Sequence, residues 1–240
     1  MARYGGRVRS PRSLEDLPFA AHLEPHAYDD LEDAGDYDRV RFERETSGGG
    51  VLEDATASGA RFIEVAFIDV TFDGGRLRRA RLSDAWFGQV RLVGTDLAES
   101  SLTDVWLHDC VLAGVQAFSI EARRVTFRGC KLDSVNFRDA TLTDVTFADC
   151  VLREPDFAGA KLTRVAFPGS QLSGAEFTGV ACRDVDLRGA TLGGSDSSGS
   201  EAPGIRSGYD SLSGCRIDSL QLMTLAPLLA HHLGLKVDSG

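Results

Sequence analysis

Cysteine and histidine are the residues of this sequence whose spacing most readily indicates chemistry. The chain has five of each. None of the cysteines forms the Cys-x-x-Cys motif that is typical of metal and redox sites. The histidines show no ligand or triad spacing, and they are His22, His26, His108, His231 and His232. We therefore expect no metal site, no cofactor and no catalytic residue.

Three of the cysteines are evenly spaced, and their spacing belongs to a repeat. Cys110, Cys130 and Cys150 are multiples of five residues apart, and every fifth residue from Leu52 to Leu192 is apolar. A second column, two residues earlier, holds mostly Ala, Val, Gly, Cys, Ser and Thr. Neither a helix with a period of 3.6 residues nor a strand with a period of 2 keeps such columns on one side. The pattern predicts a chain that turns a corner every five residues and points one large and one small side chain inward.

The sequence also tests whether four such corners close one coil. Residues 20 apart from Leu52 are nearly all leucine, and those 20 apart from Phe67 are mostly phenylalanine. This segregation by size is expected when consecutive coils stack at the strand spacing of about 4.8 Å. Cys110, Cys130 and Cys150 then lie one above another in the small inward column, within disulfide range. We favour three free thiols that fill the core, and the same for Cys182 at a large inward position.

The repeated residues resemble those of the pentapeptide repeat family, whose pattern is Ala, then Asp or Asn, then Leu, then two variable positions. The clearest matches are Thr95-Asp96-Leu97, Val135-Asn136-Phe137, Pro155-Asp156-Phe157, Ala175-Glu176-Phe177 and Val185-Asp186-Leu187. The resemblance implies an all-β solenoid, a right-handed quadrilateral β-helix of about seven to eight coils. The second position departs from the family pattern, because Arg, Thr and Lys often stand there.

Four regions follow from the repeat frame. Residues 1–35 are predicted to be an N-terminal segment and cap, with a helix start at Ser13. Residues 36–194 are the β-helix, which a Gly48–Gly50 break interrupts. Residues 195–211 are rich in Gly and Ser and are predicted to be a flexible loop. Residues 212–240 are predicted to form a final coil and a C-terminal helix.

Charge limits the kinds of partner that this chain can bind. There are 26 Lys and Arg against 36 Asp and Glu, a net charge of −10. Direct nucleic-acid binding and attachment to an anionic membrane both need basic surface, so we expect neither. The N-terminus has no apolar stretch typical of a signal peptide, and no apolar run is long enough for a transmembrane helix. We predict a cytoplasmic protein without enzymatic activity.

Part of the acid excess falls on one side of the predicted rod. We call this set the acidic row, and it consists of Asp96, Glu99, Asp139, Asp156 and Glu176. Family members that protect DNA gyrase from quinolones are acidic rods that mimic DNA and dimerise through a C-terminal apolar helix, and the tail of this chain is similar to theirs. The resemblance implies a homodimeric DNA mimic that binds a type II topoisomerase, either DNA gyrase or topoisomerase IV, and modulates it or protects it from topoisomerase poisons. The dimerisation residues would be Leu225, Leu228, Leu229 and Leu233.

Two alternatives stay open. The acidic row can be an ordinary solvated face. The protein can instead be an interaction scaffold with no topoisomerase partner, which binds through its N-terminal segment or through an apolar patch at Ile63, Ile68, Trp86 and Trp106. Alternatively, the patch has only a structural role, as the surface on which the N-terminal segment packs.

Overall fold

The computed structural model describes residues 11–27, 31–43, 51–195 and 198–236. The predicted break at Gly48–Gly50 lies outside these residues. Elsewhere the chain winds into stacked coils with four sides, which confirms the predicted quadrilateral β-helix. We name the sides A to D after the inward residues Leu92, Leu97, Leu102 and Leu107 of one coil.

Side A is a regular parallel sheet with one strand from each of eight coils. Leu92, for example, pairs with Phe72 in the coil before it and with Leu112 in the coil after it. Every pairing advances by one coil, which keeps each inward side chain stacked on the next. The strands are Val51–Glu53, Thr71–Asp73, Arg91–Val93, Val111–Ala113, Lys131–Asp133, Val151–Arg153, Gln171–Ser173 and Thr191–Leu192.

Sides C and D together form an eleven-stranded parallel sheet. In four consecutive coils a single strand of eight residues covers both sides, so this part of the rod has a broad surface. The strands are Glu24–Pro25, Asp36–Asp38, Val40–Glu43, Arg61–Ile68, Arg81–Gly88, Ser101–His108, Glu121–Arg128, Thr141–Thr143, Thr146–Ala148, Lys161–Thr163 and Ala181–Arg183.

Side B is joined from coil to coil mainly by single bridges, which run from Thr56 to Glu176 and each advance by one coil. Several corners carry non-glycine residues at positive φ, such as Glu99 at 59° and Asp84 at 53°. Short polar side chains tolerate this conformation better than branched ones. The remaining strands form three pairs, which are Ala175–Glu176 with Ile205–Ser207, Val185–Asp186 with Cys215–Arg216, and Gly194–Ser195 with Glu201–Ala202.

The core is the predicted pair of inward columns. Phe147 is 0% exposed, and its ring stacks on Phe127 and Phe167 at centroid distances of 4.7 and 5.0 Å. The small column is equally buried, since the stacked Val125 and Val145 are both 0% exposed. Aromatic stacking adds to the burial of apolar area, so each coil stabilises its two neighbours.

The first coil is longer than the repeat predicts. Tyr37 pairs with Phe62, and Phe42 pairs with Phe67, so this coil contains one pentapeptide unit more than a regular coil. Both Tyr37 and Phe42 still point into the core. The helix predicted at Ser13 is found as two 3₁₀ turns, Leu14–Asp16 and Ala20–His22.

The last coil also carries an insertion. Ala175 pairs with Ile205 and Val185 pairs with Cys215, so this coil is two pentapeptide units longer than a regular one. The extra chain includes the hairpin of Gly194–Ser195 and Glu201–Ala202. The stretch 195–211 therefore contains short strands where composition predicts a loop. The physical reason is that Ile205 is fully buried on the solenoid.

A single α-helix follows the last coil. We call it α1, and it spans Ser219–His232. Asp218 caps it by accepting a hydrogen bond from the Gln221 backbone N–H at 2.9 Å. The Gln221 side chain donates to the backbone carbonyls of Leu187 and Ala190 at 2.5 and 2.7 Å. The Leu187 carbonyl also accepts the Ala190 backbone N–H, so the Gln221 side chain joins α1 to backbone groups at the end of the coil stack.

Candidate functional site

The acidic row lies on side B, as the register between coils requires. Consecutive bridges join Asp96 to Gln116, Gln116 to Asn136, Asn136 to Asp156, and Asp156 to Glu176. These residues form one column. The other two members of the row, Glu99 and Asp139, occupy the corner that follows, at φ of 59° and 56°. The structure thus places all five acids on one side of the rod.

The acids of the column also hold the backbone in shape. Asp96 accepts a hydrogen bond from the backbone N–H of Ala98 at 2.9 Å, and Asp156 accepts one from Ala158 at the same distance. Asn136 does the same for Arg138 at 3.1 Å. This contact to the N–H two residues later is an Asx turn. It gives a structural reason for Asp or Asn at the second position of each repeat, independent of any partner.

Glu176, the last residue of the column, has hydrogen-bond partners that the other acids lack. Its carboxylate accepts hydrogen bonds from the Ser207 hydroxyl and from the backbone N–H of Thr178. Partial burial alone would raise the pKa of Glu176, but the hydrogen bonds from Ser207 and Thr178 outweigh it and leave that pKa below its usual range. Glu176 is therefore held as a carboxylate where side B meets the last coil.

Arginine side chains neutralise part of the row. Glu99 forms an ion pair with Arg78 and another with Arg79, the latter at 2.8 Å. Hydrogen bonds from Arg79 and Arg78 lower the pKa of Glu99. Arg138 lies 3.4 Å from the Asp156 carboxylate. Among the described residues we find no ion pair for Asp139. Glu99 is held by two arginines and Asp156 by one, so the part of the row best placed to meet a partner is its C-terminal end around Asp139.

The N-terminal part of side B has the opposite charge. Arg76 precedes Asp96 in the bridge column. Arg78 in the same coil places its guanidinium 5.3 Å from the ring centroid of Phe118, a cation–π contact. Side B is thus basic near its beginning and acidic from Asp139 onward. The sequence spacing indicated the acids, and it also contained the signal for their pairing, because Arg79 and Glu99 are one coil apart.

The predicted apolar patch is covered by the N-terminal segment. Trp86 is 5% exposed and forms a buried cluster with Leu17, Phe19 and Ala66. Ile68 and Trp106 pack against this cluster, as do Leu14 and Leu23 from the N-terminal segment.

Ile63, the fourth member of the patch, lies apart from this cluster. Ile63 lies on side C, where it pairs with Asp38 of the neighbouring strand. The N-terminal segment therefore packs on most of the apolar patch, and Trp86 keeps little exposed surface for contact with a partner.

The helix α1 presents a different apolar surface from the one predicted. Leu225 is 1% exposed, and Leu228 and Leu229 pack against the core. Of the four predicted dimerisation residues Leu233 is exposed, Leu228 and Leu229 are half-buried, and Leu225 is buried, so Leu225 is not accessible to a second copy and the role of the other three stays a prediction. Leu225, Leu228 and Leu229 are three to four residues apart and so lie on one face of α1. This face covers the open end of the last coil. The exposed apolar side chains at this end are Leu220, Leu222, Met223, Leu233 and Leu235.

The interior of the rod offers little space for a ligand. Ala117 stands in the large inward column, and near it lies a cavity of about 40 Å³ with only apolar lining residues, such as Leu97 and Phe137. A cavity of this kind stays dry or holds a molecule no larger than a small apolar solute. Within the described residues no cluster of three His, Cys, Asp or Glu side chains could hold a metal ion. Nor does that part of the chain contain a helix long and apolar enough to cross a membrane.

Comparisons with known proteins agree with this architecture. The family description "Pentapeptide repeats (8 copies)" matches residues 51–84 and 76–114, and "Pentapeptide repeat region" matches residues 120–196. A comparison with curated protein sequences finds no match.

Solved structures with the same fold include a trypsin-treated variant of QnrB1, a plasmid-mediated fluoroquinolone resistance protein. It is 20% identical, the match covers 91% of this chain and 100% of that one, and the TM-score is 0.53. HetL, a protein involved in heterocyst differentiation regulation in Nostoc sp. strain PCC 7120, is 18% identical over 67% of this chain and 84% of its own, with a TM-score of 0.41. The repeat frame, the coils and the family matches lead to one conclusion: this chain belongs to the pentapeptide repeat family.

Proposed function

We propose that the protein is a non-enzymatic DNA mimic that binds a type II topoisomerase, DNA gyrase or topoisomerase IV, through the acidic end of side B. One observation carries the proposal. Asp156 and Glu176 stand in register in one column, with Asp139 at the neighbouring corner, on a rigid stack of coils. A topoisomerase partner places the protein where the chromosome is, so the proposal includes a cytoplasmic location. Resistance to topoisomerase poisons would follow where binding removes the enzyme from drug-stabilised complexes.

Electrostatics decides how much of the rod engages the partner. Duplex DNA carries one negative charge per ~1.7 Å of its axis, whereas coils repeat every ~4.8 Å. The acidic row therefore carries fewer negative charges per unit length than DNA. Lys and Arg on the topoisomerase would form ion pairs with Asp139, Asp156 and Glu176. The arginines at the other end of side B would be repelled by the same basic surface. Binding should therefore occur at one end of the rod and weaken as salt is added.

A charge-removal variant tests the acidic end and keeps one oxygen acceptor at each position. The variant combines Asp139→Asn, Asp156→Asn and Glu176→Gln. Asn136 already makes the Asx turn with an amide, so Asp156→Asn keeps that turn. Asparagine also tolerates the positive φ at position 139. We expect wild-type protein to change gyrase supercoiling or drug-stabilised DNA cleavage, and the variant to need about tenfold more protein for the same effect.

The matched control removes charge from the side of the rod that faces away from side B. Asp69→Asn, Asp109→Asn and Asp149→Asn change three corner residues of side D, which have φ of 52°, 53° and 55°. This control should retain the wild-type effect on gyrase. The proposal fails if wild-type protein at micromolar concentration leaves gyrase and topoisomerase IV unchanged, or if both variants lose activity equally.

The proposal includes a homodimer formed by α1. Leu220 and Met223 are each 72% exposed, and Leu222 is 50% exposed. Three neighbouring apolar side chains in water favour association with another apolar surface, and a second copy of the helix supplies one. We take this exposed set, and not the buried Leu225, as the basis of the dimer.

The scaffold alternative is less well supported by the geometry. A partner that binds Trp86 and Trp106 would first have to displace Leu17 and Phe19 from the cluster. If that alternative is right, the double variant Trp86→Ala and Trp106→Ala abolishes a pull-down that the charge-removal variant leaves intact. The opposite result supports the topoisomerase proposal.

A further inference from the structure

Two cysteines that are far apart in sequence meet beside the last coil. Cys182 ends the large inward column of side C, where it pairs with Leu162. Cys215 lies in the final coil and pairs with Val185. Both side chains are half-buried, and Gly214, the residue before Cys215, lies directly against Cys182. The intervening chain includes the hairpin that lengthens this coil.

The backbone at this point leaves no room between the two segments. A Cβ atom placed on Gly214 would lie 2.7 Å from the carbonyl oxygen of Cys182 and 3.9 Å from its Cβ. Gly214 has φ of 86°, which favours glycine. The absence of a side chain thus lets the final coil pack directly against the backbone of Cys182, one residue before Cys215.

We propose that Cys182 and Cys215 form a reversible disulfide that fastens the final coil, and with it α1, to the rest of the solenoid. The bond joins the last regular coil to the segment that follows the hairpin. It closes a long loop, and cross-links of long loops restrict the unfolded chain the most. Oxidation would therefore hold the C-terminal cap in place, and reduction would release it.

The chemistry needs a two-electron oxidant, for which hydrogen peroxide is the simplest choice. The Cys182 thiolate attacks one peroxide oxygen, the O–O bond breaks, and the products are a sulfenic acid and a hydroxide that takes up a proton. The Cys215 sulfur then attacks the sulfenic sulfur and loses its proton, and a second water leaves. Two thiols and one peroxide thus give one disulfide and two waters. A dithiol reductant reverses the bond by exchange.

The local environment favours Cys182 as the attacking group. The hydrogen bond from the Cys215 thiol lowers the pKa of Cys182, and this outweighs the effect of burial. The same hydrogen bond raises the pKa of Cys215, together with burial. The lower pKa favours Cys182 as the thiolate of the pair. A thiolate is the nucleophilic form of cysteine.

The other three cysteines provide a contrast within the same molecule. Cys110, Cys130 and Cys150 are each 1% exposed in the small inward column. Their thiols donate to backbone carbonyls, for example Cys150 to Ala148 at 3.2 Å. A hydrogen bond that each donates to the preceding thiol in the stack, together with burial, raises the pKa of Cys130 and of Cys150. We expect these thiols to stay reduced while the folded protein is exposed to oxidant.

Thiol mapping of the full-length protein tests the proposal. The protein is treated with hydrogen peroxide, alkylated under native and then denaturing conditions, and digested with trypsin. The expected product is a cross-link between the tryptic peptides 165–183 and 207–216, which contain Cys182 and Cys215. Intact mass should fall by two hydrogen atoms and recover with dithiothreitol. Amide exchange in 205–217 should slow by about tenfold on oxidation.

Cys215→Ser should abolish the cross-link, while Cys110→Ala, a change to a residue common in the same column, should leave it intact. Wild-type mapping decides the question even if a serine variant folds poorly. A mixed population in which Cys182 is over-oxidised, a cross-link between two protein copies, or five reactive thiols after peroxide treatment would each overturn the proposal. So would a cross-link that leaves amide exchange in 205–217 unchanged.

Discussion

The two faces of α1 make opposite predictions for substitutions only a few residues apart. Leu225 faces the last coil and is 1% exposed, whereas Leu220 and Met223 face solvent and are each 72% exposed. If the first face caps the solenoid and the second joins two copies, Leu225→Ala should affect stability. The double variant Leu220→Glu and Met223→Glu should affect only the oligomeric state.

The structure sets the size of each effect. Truncation of a fully buried leucine removes its contacts and leaves a cavity, which costs about 2–5 kcal/mol. Leu225 lies near Gln221, whose side chain binds the carbonyls of Leu187 and Ala190, so loss of helix packing also exposes those groups. Substitution of exposed residues changes the free energy of unfolding of a monomer by about 0.5 kcal/mol or less. In a dimer, two buried carboxylates per copy would prevent association.

Sedimentation equilibrium over a range of concentrations measures the oligomeric state, and urea unfolding measures stability. Unfolding is measured on dilute, monomeric samples, because a dimer is stabilised by mass action. Leu225→Ala should lower the unfolding midpoint, while the glutamate variant should sediment as a monomer with an unchanged midpoint. A glutamate variant that remains dimeric, or a monomeric wild type, would refute the assignment of this face. A Leu225→Ala variant as stable as wild type would refute the cap.

Other predictions concern the core, the corners and the N-terminal segment. Phe147→Ala should destabilise by about 3–5 kcal/mol in urea unfolding, and the half-exposed Phe118→Ala, which loses its cation–π contact with Arg78, should cost clearly less. Burial, then repulsion by neighbouring acids, raises the pKa of Asp84, so its ionisation opposes folding once the pH exceeds the pKa of the unfolded chain. Asp84→Asn should therefore stabilise at neutral pH and lose this advantage in acid, whereas Asp104→Asn should destabilise because it breaks an ion pair. Deletion of 1–23 should shift tryptophan fluorescence to longer wavelength, and an unchanged spectrum would contradict the covered cluster.

The fold was predictable because its determinants repeat. A large apolar residue at every fifth position and a small one two places earlier indicate the inward columns directly, and Phe127, Phe147 and Phe167 stack where the frame places them. A position such as Val145 is determined equally well, because only a small side chain fits there. Because the pattern recurs in many repeats, a single exception such as Ala117, a small residue in the large inward column, does not obscure it.

The two ends were less predictable because each contains an insertion that changes the length of the coil. Phe42 pairs with Phe67 and Cys215 pairs with Val185, and the number of repeats that these longer coils contain does not follow from counting in fives. The contact of Cys215 with Cys182 depends on the longer last coil. The leucines of α1 have a helical spacing on more than one face, so the sequence does not say which face meets the solenoid. Packing on the last coil decides it.

Pairing between coils decides which acids of the rod keep an uncompensated charge. The acids of the acidic row lie along one side, but several ion pairs in this fold join residues one coil apart. Arg124 binds Asp104, Arg164 binds Asp144, and Arg79 binds Glu99, each from the next or the preceding coil. An acid with an arginine one coil away on the same corner is therefore part of the scaffold. Asp139 has Ser119 and Gly159 at those positions, so its charge is left for water or a partner, which is why it, and not Glu99, is the residue on which the topoisomerase proposal most depends.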